Sequence, residues 1–220
     1  MPEDLSKEWA DVPTGQREAL RLVRARLLRE FAGLDAAIVG DTVLTSRDYL
    51  LSVPREHERS AAMVERFARD RLTAVAKLRG WRRAGPAVLF MCRNNAGQSQ
   101  MARAFFTRFE HDHAVAWSGG SAPGTHVDPV VVQVMAERGI DIAEEFPKPW
   151  TAEFLQVADV VVDLGCGDTD PIVTGHRYEQ WPIHDPAGQP IEQVRLIGAE
   201  IERRVRRLIY TLGLSCDQVG

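Results

Sequence analysis

Apolar residues recur at helical spacing through the first third of the chain and then condense into short runs separated by further helical stretches. Leu20, Leu22, Val23, Leu27, Leu28 and Phe31 follow the helical period until Gly33 stops it. A second stretch, residues 35–51, carries Ile38, Val43, Leu44, Tyr49 and Leu50 ahead of Pro54, and a third, residues 56–78, sets Met63, Val64, Phe67, Leu72 and Val75 among charged positions. Three amphipathic helices with short links predict a small three-helix bundle. Residues 87–91 then form an unbroken apolar run that reads as a buried strand, and a helix continues to about Phe109. Beyond it the pattern predicts a strand at 113–118, a helix at 127–138, a strand at 159–164, a short apolar–polar stretch at 177–183 and a long helix at 191–212. Such alternation favours a parallel sheet covered by helices, with ligands bound at the carboxyl ends of the strands, which is where Cys92 falls.

Charge supports a boundary near Gly85 and Pro86. Residues 1–84 hold 16 Lys and Arg against 13 Asp and Glu, a net of +3, whereas the remainder holds 11 against 18, a net of −7. The expected division is a helical bundle over 1–84 and an α/β domain over 85–220. The first part has no dense basic cluster with interleaved aromatics, so nucleic acid is not an expected partner. No apolar run approaches the roughly 20 residues that cross a bilayer, and the opening Met-Pro-Glu-Asp-Leu-Ser-Lys lacks the order of a signal peptide; a cytoplasmic protein without a membrane partner is expected. The three cysteines, Cys92, Cys166 and Cys216, are too widely spaced for a structural zinc site or a disulfide framework, and no metal is expected. His57, alone in a charged stretch, reads as a surface residue.

The strand at 87–91 runs into Cys92, then Arg93, Asn94, Asn95, Ala96 and Gly97, then a helical pattern from Gln98. This places a thiol at a helix N-terminus, where unpaired N–H groups and a partial positive charge stabilise both a thiolate and a bound oxyanion. Cys92 is the candidate nucleophile, and the setting predicts a thiol pKa below the free value of about 8.5.

These residues resemble the anion-binding loop of the low-molecular-weight tyrosine phosphatase superfamily, a cysteine, five residues, then Arg-Ser, which in the arsenate reductase branch continues Ser-Gln-Met-Ala. Cys92, Asn95, Ser99, Gln100, Met101 and Ala102 fit; the arginine position holds Gln98. An arginine fork grips two oxygens of a tetrahedral anion, and a neutral amide does this less well. Arg93 is the one basic residue inside the loop, and it either supplies charge from another direction or points to solvent. Residues 118–123, 128–132, 137–142, 146–151, 159–168 and 181–188 continue the similarity, so it extends over nearly all of 87–212.

The resemblance implies a flavodoxin-like parallel four-stranded sheet with helices on both faces, preceded here by the bundle. It implies an oxyanion cradle formed by Arg93, Asn94, Asn95, Ala96, Gly97, Gln98 and Ser99, and a catalytic Asp185 acting as general acid, restrained by Pro186. Without the Cys92 loop, Asp-Pro would read only as the start of a turn; the neighbouring His184 reads as structural or exposed. Reductases of the branch form a Cys–arsenate adduct and discharge it with a second internal cysteine or an external thiol. Cys166 is either that second cysteine or a small apolar filler, Asp170 stands where close relatives carry a further cysteine, and Cys216 reads as a bystander in a polar tail. Three readings remain. The first is an arsenate reductase-like enzyme without bound cofactor, acting on arsenate or a phosphate-like oxyanion, with mycothiol or a thioredoxin- or mycoredoxin-type protein as external reductant. The second is a low-molecular-weight phosphatase, ranked lower because no aromatic residue follows Asp185 and Pro186. The third is a non-catalytic oxyanion-binding or regulatory homologue that has lost the loop arginine.

Overall fold

A computed structural model describes residue 12 and residues 14–52, 60–80, 85–110, 113–166 and 176–214. His57, Asp170 and Cys216 lie outside the described residues. Among the described residues three helices come first: α1 (Thr14–Glu30), α2 (Ala36–Ser52) and α3 (Ala61–Leu78). Asp35 Oδ1 accepts the N–H of Ala37 as α2 begins, and Ser60 Oγ accepts that of Met63 at the head of α3, each satisfying a donor that a helix start leaves unpaired.

The rest alternates strands and helices: β1 (Ala87–Cys92), α4 (Gln98–Phe109), β2 (Val115–Gly120), α5 (Pro129–Glu137), α6 (Ala152–Val157), β3 (Val160–Asp163), β4 (Arg177–Gln180) and α7 (Ile191–Thr211). The four strands form one parallel sheet in the order β2-β1-β3-β4. All six residues of β1 are buried, as a central strand covered on both faces requires. Among the described residues no helix is long and apolar enough to cross a membrane.

Alternation along β1 feeds two cores. Val88, Phe90 and Cys92 pack with Met101, Phe105 and Phe106 of α4, Val134 of α5 and Ile201 of α7. Ala87, Leu89 and Met91 belong instead to a cluster that contains Phe154 of α6 and Leu27, Val43, Phe67 and Leu72 of the first three helices. Helix α3 packs on α6, and α6 lies on β1. The three helices therefore form a bundle whose apolar interior is continuous with one face of the sheet.

Two local readings change. The glycine pair Gly119-Gly120 belongs to β2 rather than ending it, because Gly120 pairs with Cys92 and a Cβ there would stand 2.7 Å from the Arg93 carbonyl oxygen. Helix α6, six residues long, carries too little period to announce itself in the sequence.

Candidate active site

The loop between β1 and α4 is built by turning its carbonyls away from its centre. The oxygens of Cys92, Arg93, Asn94 and Ala96 accept from the backbone N–H groups of Ser121 (3.3 Å), Ala122 (2.8 Å), Gly124 (2.8 Å) and Asp128 (2.9 Å). That of Asn95 accepts from Gln100 Nε2 at 3.1 Å, and that of Gly97 from Met101 N at 3.0 Å. Because a trans peptide sets its N–H opposite its C=O, the amide groups that follow face the interior of the loop. The backbone N–H groups of Asn95 and Ser99 act on the Cys92 sulfur to favour its thiolate. Asn95 holds a left-handed φ of 46°, a conformation its short amide side chain tolerates better than most.

The Cys92 thiol is buried, and Ser99 Oγ lies 2.9 Å from its sulfur. Asn95 Nδ2 donates to that same oxygen at 2.9 Å, so the hydroxyl hydrogen of Ser99 is free to turn toward sulfur. The Asn95 amide is itself fixed, its Oδ1 accepting from Gln100 Nε2 (3.1 Å) and from the Lys148 backbone N–H (2.9 Å). Asn95 is therefore a strut beneath the loop rather than part of its mouth. Burial pushes the Cys92 thiol above its ordinary value; the Ser99 and Asn95 donors pull it down, and the charge of Asp185 adds to the rise. This corrects the expectation of a lowered pKa: desolvation of the buried sulfur outweighs the loop's hydrogen bonds.

Cys92, Asn94, Ala96, Gly97, Gln98, Asp128, Asp185, Pro186 and Ala187 enclose a small cavity of about 30 Å³. Asp185 is thus brought to the sulfur from the segment before α7, with Oδ1 accepting the Ala187 N–H at 3.0 Å. Gln98 does not reach into the loop as an arginine fork would; its Nε2 donates to the Ile183 carbonyl at 2.9 Å and ties the head of α4 to the segment carrying Asp185. Pro186 comes so close that a Cβ on Gly97 would lie 2.5 Å from its ring. Arg93 and His184 are exposed, and neither lines the cavity, so Arg93 contributes its backbone to the loop and its guanidinium to solvent.

Cys166 is buried just beyond β3, its N–H held by Asp163 Oδ1 at 2.8 Å. It belongs to the core on the bundle side of the sheet, whereas Cys92 belongs to the opposite one. No group of three or more potential metal ligands occurs among the described residues. Asp128 was not foreseen as a site residue: it caps α5 through Val130 N (2.8 Å) while lining the cavity, and an Asp-Pro pair ahead of an apolar helix is the sequence signal for such a cap. Gln100 and Lys148 were missed as well, since both act under the loop and not in it.

Comparison with known proteins agrees with this geometry. A thioredoxin-dependent arsenate reductase of Corynebacterium glutamicum superposes with a TM-score of 0.78 at 30% identity, covering 90% of this chain and 98% of its own, a span that reaches into the helical bundle. The glutaredoxin arsenate reductase of Synechocystis is 34% identical over 125 residues, 56% of this chain and 95% of the relative. An arsenate reductase of Bacillus cereus is 33% identical over 131 residues, 56% of this chain and 94% of the relative. The family model described as low molecular weight phosphotyrosine protein phosphatase matches residues 87–217. Since that match opens on the first residue of β1 and runs past the end of α7, it takes in the whole sheet together with the Cys92 loop, and the chain belongs to this family.

Proposed function

We propose that this chain is an arsenate reductase in which Cys92 is the reacting thiol. The observation that carries the reading is the loop itself: all six carbonyls from Cys92 to Gly97 are engaged elsewhere, which leaves its amide groups and the Ser99 hydroxyl to serve a thiolate and a tetrahedral oxyanion. The similarity to arsenate reductases, one of them alike over both the bundle and the sheet, supports it.

The Cys92 thiolate attacks arsenic in bound arsenate. One arsenic–oxygen bond breaks, and its oxygen leaves as water with a proton supplied by Asp185, giving a sulfur–arsenic adduct that is still pentavalent. A thiolate then attacks the Cys92 sulfur; a disulfide forms, and the sulfur–arsenic bond breaks with its electron pair passing to arsenic, which departs as arsenite. The attacking thiol belongs to an external reductant or to Cys166 backed by one, and the likeness to the thioredoxin-dependent enzyme favours a thioredoxin-type protein over a small thiol such as mycothiol. The backbone amides carry the oxyanion, and Gln98 keeps the Asp185 segment on the loop.

Arsenite formation should be followed with thioredoxin and its reductase, and separately with mycothiol and mycoredoxin, beside hydrolysis of an aryl phosphate. Wild type should produce arsenite with the thioredoxin system, Cys92→Ser should not, and aryl phosphate hydrolysis should be slow. Phosphate ester turnover without arsenite would replace this reading with a phosphatase, and neither activity would replace it with a binding protein.

A further inference from the structure

The described residues of the bundle contribute none of those that line the Cys92 cavity, yet the bundle is wired to the strut beneath it. From α3, Arg66 donates to the Glu144 carbonyl at 2.6 Å and pairs with Glu145 Oε1 at 2.5 Å, while its guanidinium lies 5.5 Å from the centre of the Phe146 ring. Glu145 also meets Arg103 Nη1 of α4 at 3.0 Å and Lys148 Nζ at 3.6 Å, and Asp70 of α3 stands 3.9 Å from Arg103. Lys148 is 1% exposed. Its ammonium rests over the Phe146 ring at 4.8 Å, its N–H fixes Asn95 Oδ1, and its carbonyl accepts from Gly120 N at 2.9 Å. Gln100 grips the same segment from the other side through the Phe146 carbonyl at 3.1 Å. Residues 144–148 are thus held between α3 and the loop, with a buried lysine as the joint.

We propose that Arg66 is a positioning residue for the nucleophile: through Glu145 and the Lys148 segment it sets the Asn95 amide, and through Asn95 the Ser99 hydroxyl that donates to Cys92. The physical basis is a chain of fixed donors and acceptors. Asn95 can give its N–H to Ser99 only while its oxygen stays occupied by Lys148 N and Gln100, and Lys148 can stay buried as an ammonium only beside the Glu145 carboxylate. Arg66, Arg103 and Lys148 together hold that carboxyl at about 2, against its burial. Releasing Arg66 leaves Glu145 shared by fewer cations and frees the 144–148 segment, so the Ser99 donor is no longer aimed at sulfur. The bundle is then a working part of the oxyanion loop. This rests on Cys92 being the reacting thiol, which the Cys92→Ser turnover assay tests separately.

The experiment measures the rate of Cys92 alkylation by iodoacetamide against pH in the full chain, read on the Cys92 peptide by mass spectrometry, with thermal melting recorded for each variant. Arg66→Ala should raise the midpoint of the profile and slow alkylation at neutral pH by roughly 2- to 30-fold, the span of coupling expected along such a network. The limiting rate at high pH should stay level, and Arg66→Lys should recover most of the loss. Arg66→Gln, a milder change should the alanine variant not fold, should shift the midpoint the same way. Lys77→Ala is the control, because Lys77 ties the same helix to Gly85 and Asp159 at the opposite end of the sheet. An unmoved midpoint in folded Arg66→Ala or Arg66→Gln, or an equal shift in Lys77→Ala, would overturn the proposal.

Discussion

At the scale of the residue, the loop's unusual member is Gln98, whose amide is engaged with the Ile183 carbonyl. Gln98→Arg should strengthen phosphate or arsenate binding by roughly 1.5–3 kcal/mol, the range for a hydrogen bond to a charged group, read by calorimetry. Arg93 faces solvent, so Arg93→Ala should change anion affinity by less than about 0.5 kcal/mol. A large loss there would mean that its side chain folds back over the anion. Glu145 offers a second test at this scale, because its carboxyl is held at about 2 by Lys148, Arg103 and Arg66 in spite of burial. A depressed carboxyl contributes stability that is full above its unfolded value and lost as pH falls through its folded one. The urea midpoint of Glu145→Gln should therefore lie furthest below wild type at neutral pH, and the gap should close as pH drops from about 4.5 to about 2. A gap that is constant with pH would contradict the pairing.

At the scale of the element, the site depends on how helices begin. Asp128 caps α5 with its carboxylate and steadies the loop by donating its own N–H to the Ala96 carbonyl. Asp128→Ala should cost about 1 kcal/mol of stability, and Asp128→Asn should recover most of it, because its amide oxygen still accepts the Val130 N–H. Urea titration of the pair checks this. The loop and its helix were legible in the sequence because an apolar strand, a run of small and polar residues and a helical period follow one another without interruption. Strands β1, β2 and β3 and the long α7 were legible for the same reason, whereas β4, polar and mostly exposed, read only as a short apolar–polar stretch. What lay hidden was whatever depends on partners distant in the chain. Nothing around Lys148 shows that its backbone fixes Asn95, and nothing in Asn95 distinguishes a strut from a ligand. The side chain of Gln98 could be read as a missing arginine but not as a tie to Ile183, and the direction of the Cys92 pKa turned on a degree of burial that the sequence does not state.

At the scale of the whole molecule, the helical pattern of residues 1–84 predicts a bundle but is silent on what the bundle covers, since an amphipathic face has the same period whatever it packs on. Trp117 of β2 stacks on Phe154 of α6 at 5.0 Å, and Phe154 meets Phe67 of α3 at 6.4 Å, so aromatic packing runs from the sheet into the bundle without a break. Unfolding in urea should accordingly be one transition, with helical circular dichroism and tryptophan fluorescence coincident, and Phe154→Ala should move both by about 3–5 kcal/mol. Separate transitions would make the bundle an independent domain. The loop remains the centre of the account, and the most direct test of it is alkylation of Cys92 with and without arsenate or phosphate. In the anion-free protein the midpoint should lie above that of an ordinary thiol, and either oxyanion should slow labelling of Cys92 in a saturable way while sulfate-free chloride controls do not. Labelling of Cys92 at the same rate with the oxyanions present or absent would contradict the claim that its loop is an oxyanion site.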